Sequence, residues 1–421
     1  MPGELVSWPM RDLGRRFQRL WLATAVSALG DGMLASGFQL LARRQTNDSF
    51  KVAAVYAIGR IPWAAALVLG SWVDRRNARS VLVGMDLVRA TILGGLGALL
   101  VLHPTRISLQ MLLATALILN TASVCFFCAA QRALPVVVDS RLLERANGLQ
   151  EVAVHTGEQF VGPPLGGALF LGGKGPIIGD ALSFAGSAVL LATLPSIPST
   201  AKSGGTWSDI KKGKDFFFRS PILRSLGASI SMAAFLQAYT VSTLVIMGKG
   251  TFKLSDTAFG LFLAAIAVGN LAGGFFAPRV VRRLGSTTIP AVLVVCGLCY
   301  LACVGSRSPV LVAMFLALEG VGIISANVFH GSARQRLVPA QIRGRVIGLS
   351  RTFTYGAQVP GALTAGVIAR QLGTDWVFGI AGSAFVIMGL AIARPLRRTL
   401  RENPGWQAGS QPEVNAQAEV D

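Results

Sequence analysis

Charge is what this chain has least of. Only 14% of its 421 residues are Asp, Glu, Lys or Arg, against about 25% in an ordinary soluble domain. So few charges exclude a water-covered globule of this length. Acidic residues are the scarcer sign, 20 against 39 basic, for a formal net charge of +19. No G-x-x-x-x-G-K-[ST] loop occurs, so work driven by ATP within the chain is disfavoured. No H-E-x-x-H occurs, and Ala28 stands where a G-x-G-D motif ending at Asp31 would need its first glycine. An intramembrane enzyme is therefore set aside, and no enzymatic activity is expected. Cysteine is sparse, at five residues. Cys125 and Cys128, and then Cys296, Cys299 and Cys303, have spacings that would suggest zinc in a polar loop. Both sets lie in apolar runs, where Cys packs as a small hydrophobe. Neither a metal, a cofactor nor a disulfide framework is expected.

What is present is apolar sequence. Hydrophobic residues make up 52% of the chain, and the mean hydropathy is +0.56. A helix needs about 20 mostly apolar residues to cross a bilayer core. Twelve such stretches can be marked, at residues 20–42, 52–73, 80–102, 107–130, 147–171, 176–195, 224–247, 257–281, 287–305, 309–333, 345–368 and 375–395. The expectation is an all-α integral membrane protein with twelve transmembrane helices. No cleavable signal peptide is expected, because the first apolar run is long enough to span and no small-residue cleavage site clearly follows it.

The basic excess is distributed by topology. With the N-terminus placed in the cytoplasm, 27 Lys and Arg fall in cytoplasmic loops and termini, nine in the other loops, and three within the spans. This is the positive-inside pattern, with both termini cytoplasmic. Contact with anionic lipid comes second. Nucleic acid is not an expected partner, since no basic domain stands apart from the membrane. Richness in Arg, Ala and Gly points to a GC-rich bacterium, and so to its inner membrane.

The polar stretch around residues 196–221 divides the chain into an N-terminal six-helix bundle (1–195) and a C-terminal one (222–401). A tail at 402–421 reads as disordered. "QRALP" at Gln131–Pro135 returns as "QRLVP" at Gln335–Pro339, and the same offset carries Gly70 onto Gly274. Such a parallel six-plus-six repeat lets two bundles rock about a midplane site.

Two segments stand out. "GSWVDRRNAR" at 70–79 ends the second span, where Gly70 permits close helix approach. Asp74 is suited to a facing helix N-terminus, and Arg75 and Arg79 to pairing across the loop. Together they would form a latch present in one conformation only; the plainer reading is a basic loop. In "EVAVHTGEQFVGPPLGG" (151–167), Glu151, His155 and Glu158 share one helical face. Charge inside a bilayer is costly. A carboxyl that gains a proton on one side and loses it on the other is what an antiporter needs.

The first segment resembles the loop signature of the major facilitator superfamily, G-x-x-x-D-R-x-G-R-R/K. Gly70, Asp74, Arg75 and Arg79 match, while Asn77 and Ala78 depart. "LGDG" (29–32), "GMDLVRA" (84–90), "ALPVVVDSRLLERANGL" (133–149), "GDALSFAGSA" (179–188) and "LVPAQIRGRVIGL" (337–349) resemble drug:proton antiporters that include macrolide efflux proteins and the enterobactin exporter. "GPPLGG" is similar to their fifth-span motif G-P-x-x-G-G, with Gly162, Pro163, Gly166 and Gly167 as a packing hinge. Gly148 and Gly157 keep the family's nine-residue step but lie one residue too far from Gly162, and Glu158 stands where Gly is usual. A carboxylate there works against the close contact.

The resemblance implies the major facilitator fold and proton-coupled export of hydrophobic or amphiphilic small molecules by alternating access. The alternative is export of a siderophore or another endogenous metabolite. Protons, membrane lipid and a small-molecule substrate are the expected partners, and a monomer is expected. Candidates for proton coupling are Asp31, Glu158, Glu319 and His155. Asp31 reads equally as a structural ion pair with Arg60, Arg89 or Arg351. Asp86 and Arg89 are three apart, and read as a mutual pair or as support for the latch. Asp180 reads as a helix cap near the outer face, and His330 as interfacial. Cavity candidates are Arg60, Trp63, Phe235, Tyr239, Arg351 and Tyr355.

Overall fold

The computed structural model describes residues 10–199, 214–338 and 340–401. Among these there is no β-strand. In chain order the helices are α1 (Gly14–Gln45), α2 (Ser49–Ala64), α3 (Ala66–Asp74), α4 (Ala78–Leu102), α5 (Leu109–Val137), α6 (Leu143–His155), α7 (Gly162–Ala168) and α8 (Lys174–Ala192). After the polar stretch come α9 (Pro221–Val241), α10 (Asp256–Leu284), α11 (Thr288–Cys303), α12 (Pro309–Leu337), α13 (Ala340–Gln371) and α14 (Thr374–Arg401). The rods begin where short polar side chains accept from the first free backbone N–H groups. Asp48 accepts from Phe50 N at 2.9 Å, Ser108 from Met111 N at 3.3 Å and Ser255 from Ala258 N at 3.1 Å. Pro62 lies just before the 48° bend between α2 and α3, where its missing donor breaks the ladder.

Seven helices among the described residues are long and apolar enough to cross a membrane, and eight if α2 and α3 form one bent span. The seven are α4, α5, α8, α9 with its continuation to Thr251, α10 joined to α11, α12 and α14. All twelve stretches marked from the sequence are helical here, but α1, the α6–α7 rod and α13 fall short in apolar character. They carry Asp31, Glu158 and Arg351 respectively. The outer surface is apolar in turn: Phe275, Val189 and Leu182 are each more than two-thirds exposed, a surface suited to lipid.

In the N-terminal half α8 packs on α1 and α4, and α2 on α5. In the C-terminal half α12 packs on α10 and α11, α11 on α14, and α13 on α9. The halves meet mainly at one end of the rods. A methyl group placed on Gly366 of α13 would lie 2.8 Å from Phe50 Cα, and one on Gly167 of α7 would lie 2.8 Å from Gly260 Cα of α10. Two ion pairs cross between the halves at the same end, Arg44–Asp256 at 2.8 Å and Arg370–Asp48 at 3.5 Å, and Lys249 of the C-terminal half also pairs with Asp256 at 2.6 Å. Toward the other end the seam thins to Leu67 of α3 against Gly348 of α13. Most of the polar stretch, 200–213, and the tail from 402 lie outside the described residues.

Candidate functional site

The polar interior is built around Arg89 of α4. Its guanidinium donates to the Asp86 carboxylate one turn earlier on the same helix. Nη1 also donates to Ser123 Oγ of α5 at 3.3 Å and lies 3.6 Å from Asp31 Oδ2 of α1. The rings of Phe184 and Phe126 flank its cationic plane at 3.9 and 4.7 Å, an arrangement that favours a desolvated cation. Arg89 and Asp86 are buried, whereas Asp31 keeps 29% of its side chain exposed. Of the three arginines considered for Asp31, the structure therefore selects Arg89. It also places Asp86 and Arg89 in this cluster rather than at the Gly70–Arg79 loop.

A second acid stands behind α1. Asp180 of α8 is fully buried and accepts a 2.9 Å hydrogen bond from Ser183 Oγ. Its other oxygen has no partner in the structure. Gly30 makes this approach possible, because a side chain there would run into the Asp180 carboxylate. The expectation of a helix cap is thus corrected: α8 is preceded by Gly173, and Asp180 lies within it. Nothing in the sequence marked it beyond an acid in an apolar run.

Glu158 reaches the cluster through a break in helix geometry. Residues Thr156–Val161 form a single π turn between α6 and α7. A π turn closes i to i+5 and accommodates one extra residue, which is the excess noted between Gly157 and Gly162. Both glycines then face α1. A methyl on Gly157 would sit 2.7 Å from Leu29 N, one on Gly162 would sit 2.6 Å from Gly32 Cα, and one on Gly32 would meet Glu158 O at 2.7 Å. Ser36 Oγ ties the seam by donating to Met33 O at 3.0 Å and Pro163 O at 3.2 Å. The close contact expected to suffer from Glu158 is retained, because the turn carries the carboxylate aside.

These elements enclose a cavity of about 670 Å³ of empty space, including its open mouth. Asp31, Glu151, Glu158 and Gln150 supply its polar wall, with Arg89 beneath. Trp63, Phe126 and Phe127 supply its aromatic wall. Trp63 also packs at a tilt against Tyr355 of α13, with centroids 5.2 Å apart, and the Arg351 guanidinium lies over Phe127 at 5.0 Å. Arg60 donates to Tyr56 Oη at 3.1 Å and lies over that ring. Phe235 and Tyr239 stack on one another in α9 at 6.2 Å, with Tyr239 buried. The cavity lining includes neither of them.

Other expected residues lie elsewhere. Glu319 of α12 accepts from Tyr300 Oη at 2.9 Å, and that hydroxyl accepts from Thr240 Oγ1 at 3.1 Å. It thus has neighbours the sequence did not indicate. The side chain of His155 lies outside those described. His330 is buried against Phe329. All five cysteines are free thiols, and no metal-binding cluster occurs among the described residues.

The loop signature is organised within the N-terminal half. Gly70 faces Cys128. Asp74 pairs with Arg132 of α5 at 3.6 Å, not with a facing helix N-terminus. Arg132 also donates to Val73 O at 2.7 Å and to Pro198 O at 3.0 Å. Arg79 donates to Ala192 O at the end of α8 rather than pairing across its loop, and Arg75 is exposed. Arg132 was passed over as a site residue, though it is the Arg of the repeated "QR" segment.

Comparison with known proteins agrees with this architecture. The multidrug efflux pump Tap of Mycolicibacterium fortuitum is 23% identical over 392 residues, covering 90% of this chain and 95% of the pump. The pump of that name from Mycobacterium tuberculosis is 26% identical over 396 residues, covering 90% and 93%. Among solved structures, a bacterial homologue of the lysosomal transporter Spinster in an inward-facing, unoccupied conformation superposes with a TM-score of 0.71 at 14% identity, covering 94% of this chain and 98% of that one. These neighbours are transporters, not enzymes. The family model described as "transmembrane secretion effector" matches residues 8–417. With nearly the whole chain matched and an acid-lined cavity between helices closed together at one end, this multi-pass membrane protein belongs to the transmembrane secretion effector family of the major facilitator superfamily.

Proposed function

We infer that this protein is a proton-coupled exporter of hydrophobic or amphiphilic small molecules, working by alternating access in a bacterial cell membrane. Its twelve helical rods form two six-helix bundles, 1–195 and 222–401, joined through 196–221, with both termini in the cytoplasm. The apolar 48-residue stretch Asp256–Cys303 measures about 72 Å along its axis at 1.5 Å per residue, enough for two crossings of a bilayer core of about 30 Å. The three rods of lower hydropathy carry Asp31, Glu158 and Arg351.

One observation carries the reading: the cavity with Asp31 at its polar wall is lined by Thr24, Gln131 and Gln150, on helix segments away from the end where Arg44–Asp256 and Arg370–Asp48 join the halves. With the basic loops inside, the sealed end faces outward and the cavity faces the cytoplasm. Asp31 and Glu158 line it, belong to one bundle, and are the coupling residues. Glu319 is tethered by Tyr300 within the other bundle and supports that bundle's packing. One proton crossing ~100 mV releases roughly 2.3 kcal/mol, enough for about a fifty-fold gradient of a neutral substrate. The Asp74–Arg132 contact ties α3 to α5 and the Arg79–Ala192 contact ties α4 to α8 at their cytoplasmic ends, so that the bundle moves as a body.

Efflux of a dye and drug panel from cells, with and without a protonophore, tests this. Export that stops with the protonophore supports it; no export of any compound removes it. Arg351 and Arg60, with no carboxylate paired to either among the described residues, favour a second reading: export of an anionic endogenous metabolite such as a siderophore. Accumulation of such a metabolite inside a deletion strain would select it.

A further inference from the structure

We propose that the last turns of α10 form a docking surface for the headgroup of an anionic phospholipid. The proposal stands on α10 crossing the membrane and does not depend on what the protein exports. On the outer face of α10, Leu261, Val268 and Phe275 follow at seven-residue steps, and each is at least half exposed. Two helical turns separate each from the next, so the three share one stripe. The next step along it is Arg282. From Asp256 to Phe275 the rise is about 29 Å at 1.5 Å per residue, close to the ~30 Å of a bilayer core. Phe276 beside it is also exposed. The aromatic pair therefore ends the apolar length. Arg279, Arg282 and Arg283 follow within the next ~12 Å, at headgroup depth, and all three are exposed.

Nothing nearby in the protein meets the charge of these arginines. Among the described residues none of the three pairs with a carboxylate, and Arg279 donates to Phe275 O of its own helix at 3.3 Å. The acids between residues 221 and 401 are Asp256, Glu319 and Asp375. Asp256 and Asp375 begin α10 and α14 at the opposite end, and Glu319 is buried against Tyr300. Asp215 stands ahead of α9, whereas α10 packs chiefly on α12 and α7. The internal repeat sharpens the contrast. The offset that carries Gly70 onto Gly274 also carries Trp72, Arg75 and Arg79 onto Phe276, Arg279 and Arg283, and Asp74 onto Pro278. In the first copy the acid engages Arg132, and Arg79 is bound to Ala192 O. In the second copy the acid is gone. Arg282 and Arg283 also lie in the last turn, where cations complement free carbonyls. That explains their place on the helix but gives them no counter-ion. A lipid phosphate supplies one through paired N–H donors, with its acyl chains along Phe275 and Val268.

Native mass spectrometry of the full chain tests this, with the protein purified in neutral detergent and given equal amounts of dioleoyl phosphatidylglycerol and dioleoyl phosphatidylcholine. The phosphatidylglycerol adduct is expected to exceed the phosphatidylcholine adduct at least tenfold. Each basic residue near an anionic lipid surface is worth about fivefold. The Arg279→Gln/Arg282→Gln/Arg283→Gln variant should therefore lose nearly all of that preference. Arg15→Gln/Arg16→Gln/Arg224→Gln removes the same charge from exposed positions elsewhere at the same membrane face, and should keep the preference to within about twofold. No preference in the unaltered protein overturns the proposal, whether or not the variants fold. So does an equal fall in both triple variants, which would make the effect one of total charge. The tail, with Glu402, Glu413, Glu419 and Asp421, is the rival occupant. A preference that arises only when the chain is ended at Arg401 would assign the arginines to the tail and overturn the lipid site.

Discussion

Arg89 is buried, so its charge must be met inside the protein, and Asp86 and Asp31 meet it. Removing one member of such a set leaves uncompensated charge in low dielectric. Arg89→Met is expected to destabilise the protein by about 3–5 kcal/mol, seen as a lower melting temperature in detergent. Asp86→Leu added to it should recover part of the loss. A single variant as stable as the parent would mean the cluster is not the counter-charged unit described. Asp31→Asn leaves the buried Arg89–Asp86 pair in place and removes a part-exposed partner, so it should lower melting far less than Arg89→Met; in it and in Glu158→Gln, substrate addition should no longer move protons in vesicles. Glu319→Gln should keep proton movement, since Glu319 lies in the Tyr300–Thr240 chain and not in the cavity. Loss of coupling in Glu319→Gln with coupling kept in the other two would reverse the assignment. Asp31 could be singled out in the sequence because an acid in an apolar helix needs a reason. Its partner could not, because Arg89 is 58 positions away and competed with two other intramembrane arginines. Asp180 was misread because a helix start and a buried helix interior look alike when Gly precedes the acid.

At the scale of elements, the rod formed by α6, the π turn and α7 shows how a one-residue excess becomes geometry. The sequence shows the excess directly, as a glycine step one residue too long ahead of Gly162. What it does not show is whether the contact fails or the helix adapts. The structure adapts, since the interlock of Gly157, Gly162 and Gly32 leaves no space for a side chain. Gly157→Val and Gly32→Val are each expected to abolish correctly folded protein, measured as loss of the monodisperse peak in detergent. Deleting Val161 shortens the Gly157–Gly162 step to four, which an ordinary α-helix places on one face. That variant should fold and hold the seam while losing coupling, because Glu158 turns out of the cavity. If the deletion fails to fold while Gly157→Val folds, the seam is not what the π turn serves. The helix positions themselves were legible to within a few residues almost everywhere, because lipid demands apolar length. α1 and α13 were the least apolar for the same physical reason that makes them useful: each turns polar side chains inward.

For the whole molecule, the asymmetry of the seam matters most. Glycine contacts and two ion pairs hold the halves together at one end, and the cavity is lined from the N-terminal half by Thr24, Gln131 and Gln150, on helix segments away from that end. A cysteine pair at Asp48 and Arg370, whose side chains meet across the same end at 3.5 Å, in a background without the five native cysteines, should be bridged by a short reducible bifunctional thiol reagent in the state described. Transport should stop on cross-linking and return on reduction. The repeated "QR" and glycine positions suggest two related halves in the sequence. Which end is closed is not legible there, because closure is a property of one conformation and the sequence must serve both. The central claim is that protons and cargo share one cavity that opens to each side in turn. The most direct measurement uses purified protein in sealed liposomes, with cargo movement followed while the pH and voltage differences are imposed and then collapsed. The account predicts uphill cargo movement with matching proton flux when the gradients are present, and neither when they are gone. Uphill movement that persists with both gradients abolished would contradict it.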